Sequence, residues 1–188
     1  MKTQFRSILA SFLILAPTCG AVAQSTTAPS APAEKALVIQ VEIPAPLSAV
    51  WEAFSTSDGL STWLGPNATV DLRAGGDWLV HFPNGSTGGG TILSFIPQKE
   101  IVLSALAPDQ FPTVRTTRTH AVFDLEAHGN ATIVRLTQTG WKDGPEWDHA
   151  YEYLVAGNAQ LLSTLHRRFL QGPIDWNKAF GTPPPKKP

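Results

Sequence analysis

A chain of 188 residues with 14 Lys and Arg against 15 Asp and Glu carries a formal net charge of −1. That balance, without a basic cluster, excludes nucleic acid and anionic membranes as main partners, because both require a concentrated positive surface. The single cysteine excludes a disulfide-stapled fold, so stability must come from a packed core, for which roughly 150 residues suffice.

The first element in chain order is a leader. Lys2 and Arg6 precede the apolar run ILASFLILA, and Ala21-Val22-Ala23 fits a small-x-small cleavage site. This predicts a signal peptide over 1–23, a mature N-terminus at Gln24 and a periplasmic or secreted location. The run is too short to span a bilayer, and no later run is longer, so no stable membrane insertion is expected. Pro17-Thr18 before Cys19 does not suit lipid attachment. Cleavage would remove Cys19, leave no thiol and, with Lys2 and Arg6 gone, take the charge to −3. Residues 24–36 are rich in Ser, Thr, Ala and Pro, lack apolar periodicity and read as a flexible linker.

The predicted domain spans 37–175. LVIQVEI alternates through Leu37, Ile39, Val41 and Ile43, the period of a half-buried strand. Pro44 ends it, and Pro46 suits the first position of a helix whose apolar face is Leu47, Val50, Trp51 and Phe54. A second short helix follows, capped by Ser57 or Asp58, with Leu60, Trp63 and Leu64 inward and Gly65-Pro66 as its stop. Then come six predicted strands: ATVDLR, DWLVHF, TILSFI, EIVLSAL, RTTRTHAVFDLEA and ATIVRLTQT. Their connections (AGG, PNGSTGGG, PQK, APDQFPTV and HGN) are short and turn-like, which predicts an antiparallel meander. GSTGGG has no following Lys-Ser or Lys-Thr and no helix, so it is a hairpin loop and not a phosphate cradle. A long helix closes the domain. Asp143 is its expected cap, Glu146 and Asp148 complement its first turn, and Gly172-Pro173 ends it. Residues 176–188, ending GTPPPKKP, read as a Pro-rich tail.

The long helix carries an anomaly. Its apolar stripe runs Leu154, Leu161, Leu162, Leu165, Phe169, and Asn158 sits inside it. An unpartnered buried amide costs roughly 1–3 kcal/mol, so Asn158 is expected to meet cavity water, a polar neighbour or a ligand. The stripe then covers a cavity rather than a solid core. Tyr151, Leu154 and Asn158 share one face at i, i+3, i+7. Trp51, Trp63, Trp78, Phe82 and Leu162 are the further candidates for an apolar lining, although core packing is the usual role of such residues. His81 and His120 fall, by strand parity, opposite the apolar sets of their strands, which is the solvent face. A sheet curled around a ligand would let either turn inward, and His120 joins the candidate lining on that basis. His149 and Glu152, at i, i+3, are two groups without a third and read as a solvated helix face, not a metal site. No nucleophile elbow, Ser-His-Asp set or cofactor motif is present, so no catalytic residue and no cofactor is assigned.

The element order, β, α, α, six strands and a long α-helix, is the helix-grip arrangement. The segments PAPLSAVWEAFSTSDGLSTWLGP, VDLRAGGDWLV, GGGTILSFIPQKEIVLS, ATIVRLTQTGW and GNAQLLSTLHRRF resemble bacterial proteins related to the activator of the heat-shock protein 90 ATPase, within the START-like (SRPBCC) superfamily. The resemblance covers Leu37 to Gln171 and is most specific at Trp51 with Trp63, at Gly75-Gly76-Asp77-Trp78 and from Gly157 through Leu162 and Leu165. It implies an α+β helix-grip fold: a curved antiparallel sheet of about six to seven strands, two short helices and a long C-terminal helix over a cavity. The family commonly has Gly-Trp where this chain has Gly157-Asn158. An amide there enlarges the cavity and adds a donor and an acceptor.

The scaffold does not carry one function. The leading expectation is an exported domain that binds a small hydrophobic or amphipathic molecule without chemistry. An enzyme of the cyclase or hydrolase kind would need a cavity His or Asp beside another titratable group. A co-chaperone role, implied by the resemblance, conflicts with export, because the relevant chaperone and its ATP are cytosolic. No protein partner is indicated.

Overall fold

The computed structural model describes residues 34–181. The expected signal peptide over 1–23, residues 24–33 of the linker and residues 182–188 of the tail lie outside the described residues.

The alternation in Leu37–Ile43 becomes strand β1, with Leu37 and Ile43 fully covered and Val38 and Gln40 on the outer face. Helices α1 (Leu47–Ser55) and α2 (Ser57–Ser61) follow. The strands β2 (Asn67–Val70), β3 (Asp77–His81), β4 (Thr87–Ile96) and β5 (Glu100–Ala105) lead to helix α3 (Pro112–Thr117). Strands β6 (Thr119–His128) and β7 (Ala131–Thr139), helix α4 (Pro145–Gln171) and helix α5 (Trp176–Phe180) complete the chain. All seven strands form one antiparallel sheet in the order β1-β7-β6-β5-β4-β3-β2. The expected meander therefore runs from β2 to β7, and β1 closes the far edge on β7. The sheet is curved, and the fold is helix-grip.

Two tryptophans lock the helical layer to the sheet. The last carbonyls of a helix have no intrahelical donor. Trp63 Nε1–H donates to the Ala53 carbonyl and Trp78 Nε1–H to the Phe54 carbonyl, each at 2.8 Å, so both indoles satisfy the end of α1. Their rings pack with Phe54 and Phe123, with centroid separations from 5.0 to 6.3 Å, in the tilted and offset geometries that aromatic rings favour. The Gly75-Gly76 turn is equally determined. Gly75 has φ +79°, and a Cβ on Gly76 would stand 2.0 Å from the Asp71 carbonyl oxygen. A second apolar cluster joins Leu37, Phe111, Val114, Trp141, Trp147 and Ala150 under the start of α4.

Several local expectations change. Residues 112–117, expected as the end of a loop and the start of a long strand, form α3. Pro112 opens that helix, Val114 inserts into the second cluster, and the Glu146 carboxylate of α4 accepts from the Thr113 and Val114 N–H groups at 2.7 and 3.1 Å. A distant side chain thus supplies the cap that local sequence lacks. Thr56, not Ser57 or Asp58, caps α2, accepting from Gly59 N–H at 2.9 Å. Pro46 is the residue before α1 rather than its first. Gly144, not Asp143, precedes α4, and Thr87–Gly90 of the expected hairpin loop belongs to β4.

Both domain boundaries lie further out than composition suggests. Lys35 pairs with Asp148 at 2.9 Å, the Ala36 carbonyl accepts from the Tyr151 hydroxyl at 3.2 Å, and Glu34 accepts from Gly140 N–H at 3.1 Å. The end of the expected linker is therefore fastened to the domain. Residues 176–180, assigned by composition to the tail, form α5. The Ile174 N–H donates to the Thr62 carbonyl at 2.9 Å and the Trp176 indole to the Ser61 carbonyl, which holds this segment on α2.

Candidate functional site

One end of the sheet's inner face is built from small residues. Gly88, Gly89 and Gly90 of β4 pair with Val80, Leu79 and Trp78 of β3, Ala105 of β5 faces Gly90, and Ala121 of β6 faces Gln138 of β7. Gly89 has φ +105°, and a Cβ there would lie 2.0 Å from the Trp78 carbonyl oxygen, so only glycine fits. The absent side chains leave a cavity of about 450 Å³ between the sheet and α4. That size is within the range of small-molecule sites. Trp78, Val80, Phe82, Leu103, Phe123 and Leu136 wall it from the sheet, and Leu154 and Leu161 from α4. Gly157 also lines it, at an exposed position on the rim, with nothing within 4 Å of where its Cβ would stand. Exposed residues mark the mouth: Asn84 in the β3–β4 hairpin, Asp109 and Gln110 in the β5–α3 loop, and Tyr153 on α4.

A polar relay is set into this apolar wall. Asn158 Nδ2 donates to Gln138 Oε1 and Gln138 Nε2 donates to Thr119 Oγ1, each at 2.7 Å. All three residues are buried. The amide in the apolar stripe thus has the polar neighbour its burial requires. The Gln138 carbonyl also accepts from Trp141 Nε1–H at 2.9 Å, which fixes the end of β7.

The mouth is braced by α3. Arg115 Nε is 3.0 Å from Asp109 Oδ1, and its Nη1 donates to the Thr87 and Ala107 carbonyls, tying the hairpin to the loop. Glu146 holds α3 from below. Hydrogen bonding from the Thr113 side chain, with the Val114 and Thr113 backbone N–H groups, keeps its carboxyl below the ordinary glutamate range.

Of the nine residues expected to line a cavity, the structure brings Trp78, Phe82, Leu154 and Asn158 together on its wall. The other five lie elsewhere. Trp63 and Leu162 are buried in the main core, and Trp51 packs against that core half-exposed. Tyr151 sits edge-on to Trp141 at 5.0 Å, under Lys35 Nζ, in the second cluster. His120 is exposed, as strand parity had it, and so is His81, whose Nδ1 is 3.1 Å from Thr87 Oγ1. His149 stands edge-on to Phe111 at 5.3 Å.

Sequence reasoning missed Gln138, Tyr153, Gly157, Leu161 and the small residues of the sheet. A signal existed for Gln138. It shares strand parity with Val134 and Leu136, so it is a polar residue in an apolar set, as Asn158 is on its helix. The three consecutive glycines read as a loop because the same residues serve both turns and close strand approach.

The family model described as "Activator of Hsp90 ATPase homolog 1-like protein" matches residues 44–169. Among solved structures, the Aha1 dimer from Colwellia psychrerythraea is 21% identical with a TM-score of 0.60, covering 73% of this chain and 98% of that one. Protein MLL2253 from Mesorhizobium loti is 19% identical with a TM-score of 0.63, covering 74% of this chain and all (100%) of that one. Protein BH1534 from Bacillus halodurans is 22% identical with a TM-score of 0.56, covering 72% and 96%. At these identities the likeness is one of fold. No curated protein sequence matches the chain. The family match spans about two thirds of the 188 residues and includes α1, the Gly75-Gly76 turn, the glycine-lined strand and most of α4, so the chain belongs to the Activator of Hsp90 ATPase homolog 1-like family.

Proposed function

We propose that this protein is an exported START-like domain that binds a small hydrophobic or amphipathic molecule between its sheet and α4. The observation that carries the reading is the cavity of about 450 Å³, walled by apolar side chains and holding a few placed polar groups. A largely apolar cleft with an open mouth is a common form of ligand site, and leaving its wall without neighbours forfeits packing contacts. Binding without chemistry is favoured over the cyclase or hydrolase alternative by the lining. It contains no histidine, and its charged residue, Asp109, is paired to Arg115. Export is proposed from Lys2, Arg6, the apolar run and Ala21-Val22-Ala23. It also weighs against a co-chaperone role.

Native mass spectrometry of the protein purified from the exported fraction tests the reading, alongside Gly157→Leu. The wild-type protein is expected to carry a small molecule or to take up an uncharged fluorescent probe. The variant, which places a side chain at the exposed rim of the cavity, is expected to bind it more weakly with its fold intact. Absence of any bound molecule and of probe uptake in the wild type would overturn the binding reading. N-terminal sequencing is expected to begin at Gln24, and retention of Met1 would overturn export.

A further inference from the structure

The relay and the charge pattern of the cavity narrow the class of ligand. Among the described residues, the Asn158 side chain makes one hydrogen bond, from Nδ2 to Gln138 Oε1. A primary amide offers two N–H donors and an oxygen with two acceptor sites. One N–H is used. The second N–H and Oδ1 belong to a residue that lines the cavity and is only 9% exposed. Gln138, 4% exposed, cannot turn away to serve a ligand without abandoning Thr119. Gln138 is engaged at both ends of its amide, by Asn158 and by Thr119, whereas Asn158 is engaged only through Nδ2, so Asn158 is the less committed amide in the covered part of the wall.

No countercharge accompanies it. Asp109 is the one charged residue among those lining the cavity. It stands at the exposed mouth and is held by Arg115 at 3.0 Å. A carboxylate or ammonium carried to Asn158 would lose its water and meet only amides and hydroxyls. An unpaired charge in such a place is strongly disfavoured. A hydroxyl or neutral amide would lose less water and find both a donor and an acceptor.

We infer that the cavity selects an uncharged amphiphile: an apolar body bearing one hydroxyl or neutral amide that bonds to Asn158. This rests on the ligand-binding reading above, and it separates the alcohol from the fatty acid and the amine of the same chain length.

The test displaces Nile red, an uncharged probe, from the mature protein at pH 7.5 with 1-decanol, decanoate and decylammonium below their aggregation concentrations. Decanol is expected to displace the probe at concentrations about tenfold or more below either ion, the scale of one net hydrogen bond or of an unpaired buried charge. In Asn158→Leu, the advantage of decanol over the two ions is expected to shrink about tenfold, because the hydrogen bond that favours the alcohol is removed while the wall stays uncharged. The wild-type series carries the test by itself if the variant does not fold. Nile red binding with equal displacement by all three, or with an ion strongest, overturns the inference and leaves the ligand-binding reading standing. Failure of Nile red to bind the wild type removes the ligand-binding reading, and this inference with it.

Discussion

At one end of the concave face, Phe54, Trp63, Trp78 and Phe123 fill the space beneath α1 with interlocking rings. At the other end, Gly88, Gly89, Ala105 and Ala121 leave a space that α4 covers without filling. The same strands supply both ends. Trp78 and Phe123 stand at the boundary, part of the aromatic cluster and part of the cavity wall. Hydrogen bonding differs in the same way. In the filled end, indole N–H groups satisfy helix carbonyls, a closed arrangement with nothing left over. In the hollow end, side-chain amides satisfy one another and leave capacity at Asn158. Stability is concentrated where side chains are large, and binding capacity where they are missing.

The largest effect should come from the filled end. Trp63 is fully buried, and Trp63→Ala is expected to cost about 3–5 kcal/mol by opening a cavity and orphaning the Ala53 carbonyl. Urea denaturation measures it. A loss under about 1 kcal/mol would mean that this end is not the tightly packed partner in the comparison.

The relay comes next. Gln138→Leu removes the partner of both Asn158 and Thr119 and is expected to cost about 1–3 kcal/mol. Adding Asn158→Leu to it should recover part of the loss, because the second change removes a stranded amide. The coupling from the double-mutant cycle is expected at about 0.5–3 kcal/mol. Strict additivity would show that the two amides do not depend on each other.

A smaller effect, of opposite sign, is expected at Gly157. Its Cβ position is open, so Gly157→Ala gains helix propensity without a clash and should stabilise by about 0.5–1 kcal/mol. A fall in the thermal midpoint would mean that the space at the Gly157 Cβ position is not open.

The smallest effect on global stability concerns the mouth. The Glu146 carboxyl is held below its ordinary range, first by the Thr113 side chain and then by the Val114 and Thr113 N–H groups. A depressed carboxyl contributes stability that is fully present above its ordinary value and is lost as pH falls through the folded value. Hydrogen exchange at Val114 and its neighbours is therefore expected to rise, relative to its intrinsic rate, on acidification below the ordinary glutamate range. Glu146→Gln should show weaker protection at neutral pH and no such acid response. An unchanged profile in the variant would mean that α3 is held by Val114 packing alone.

Much was determined by sequence alone. Period-two alternation in Leu37–Ile43 and in Ala131–Thr139, and the apolar stripe of α4, depend on neighbours only a few residues away. They fixed the order of β1, α1, α2, the six later strands and α4, and with the short connections they fixed the meander. They also marked Asn158 as out of place, because an amide in an apolar stripe is visible without coordinates. Tertiary structure decided the rest. Glu146, 33 residues downstream of Thr113, caps α3, and Ile174 and Trp176 fasten the α5 segment to Thr62 and Ser61 at the end of α2. Neither contact has a local signature. Whether an aromatic residue packs the core, as Trp63 does, or walls a cavity, as Phe82 does, depends on the size of residues across the sheet. The partner of Asn158 was set in the same way: Gln138 lies 20 residues away in sequence and 2.7 Å away in space, a distance that only the packing of α4 on β7 creates.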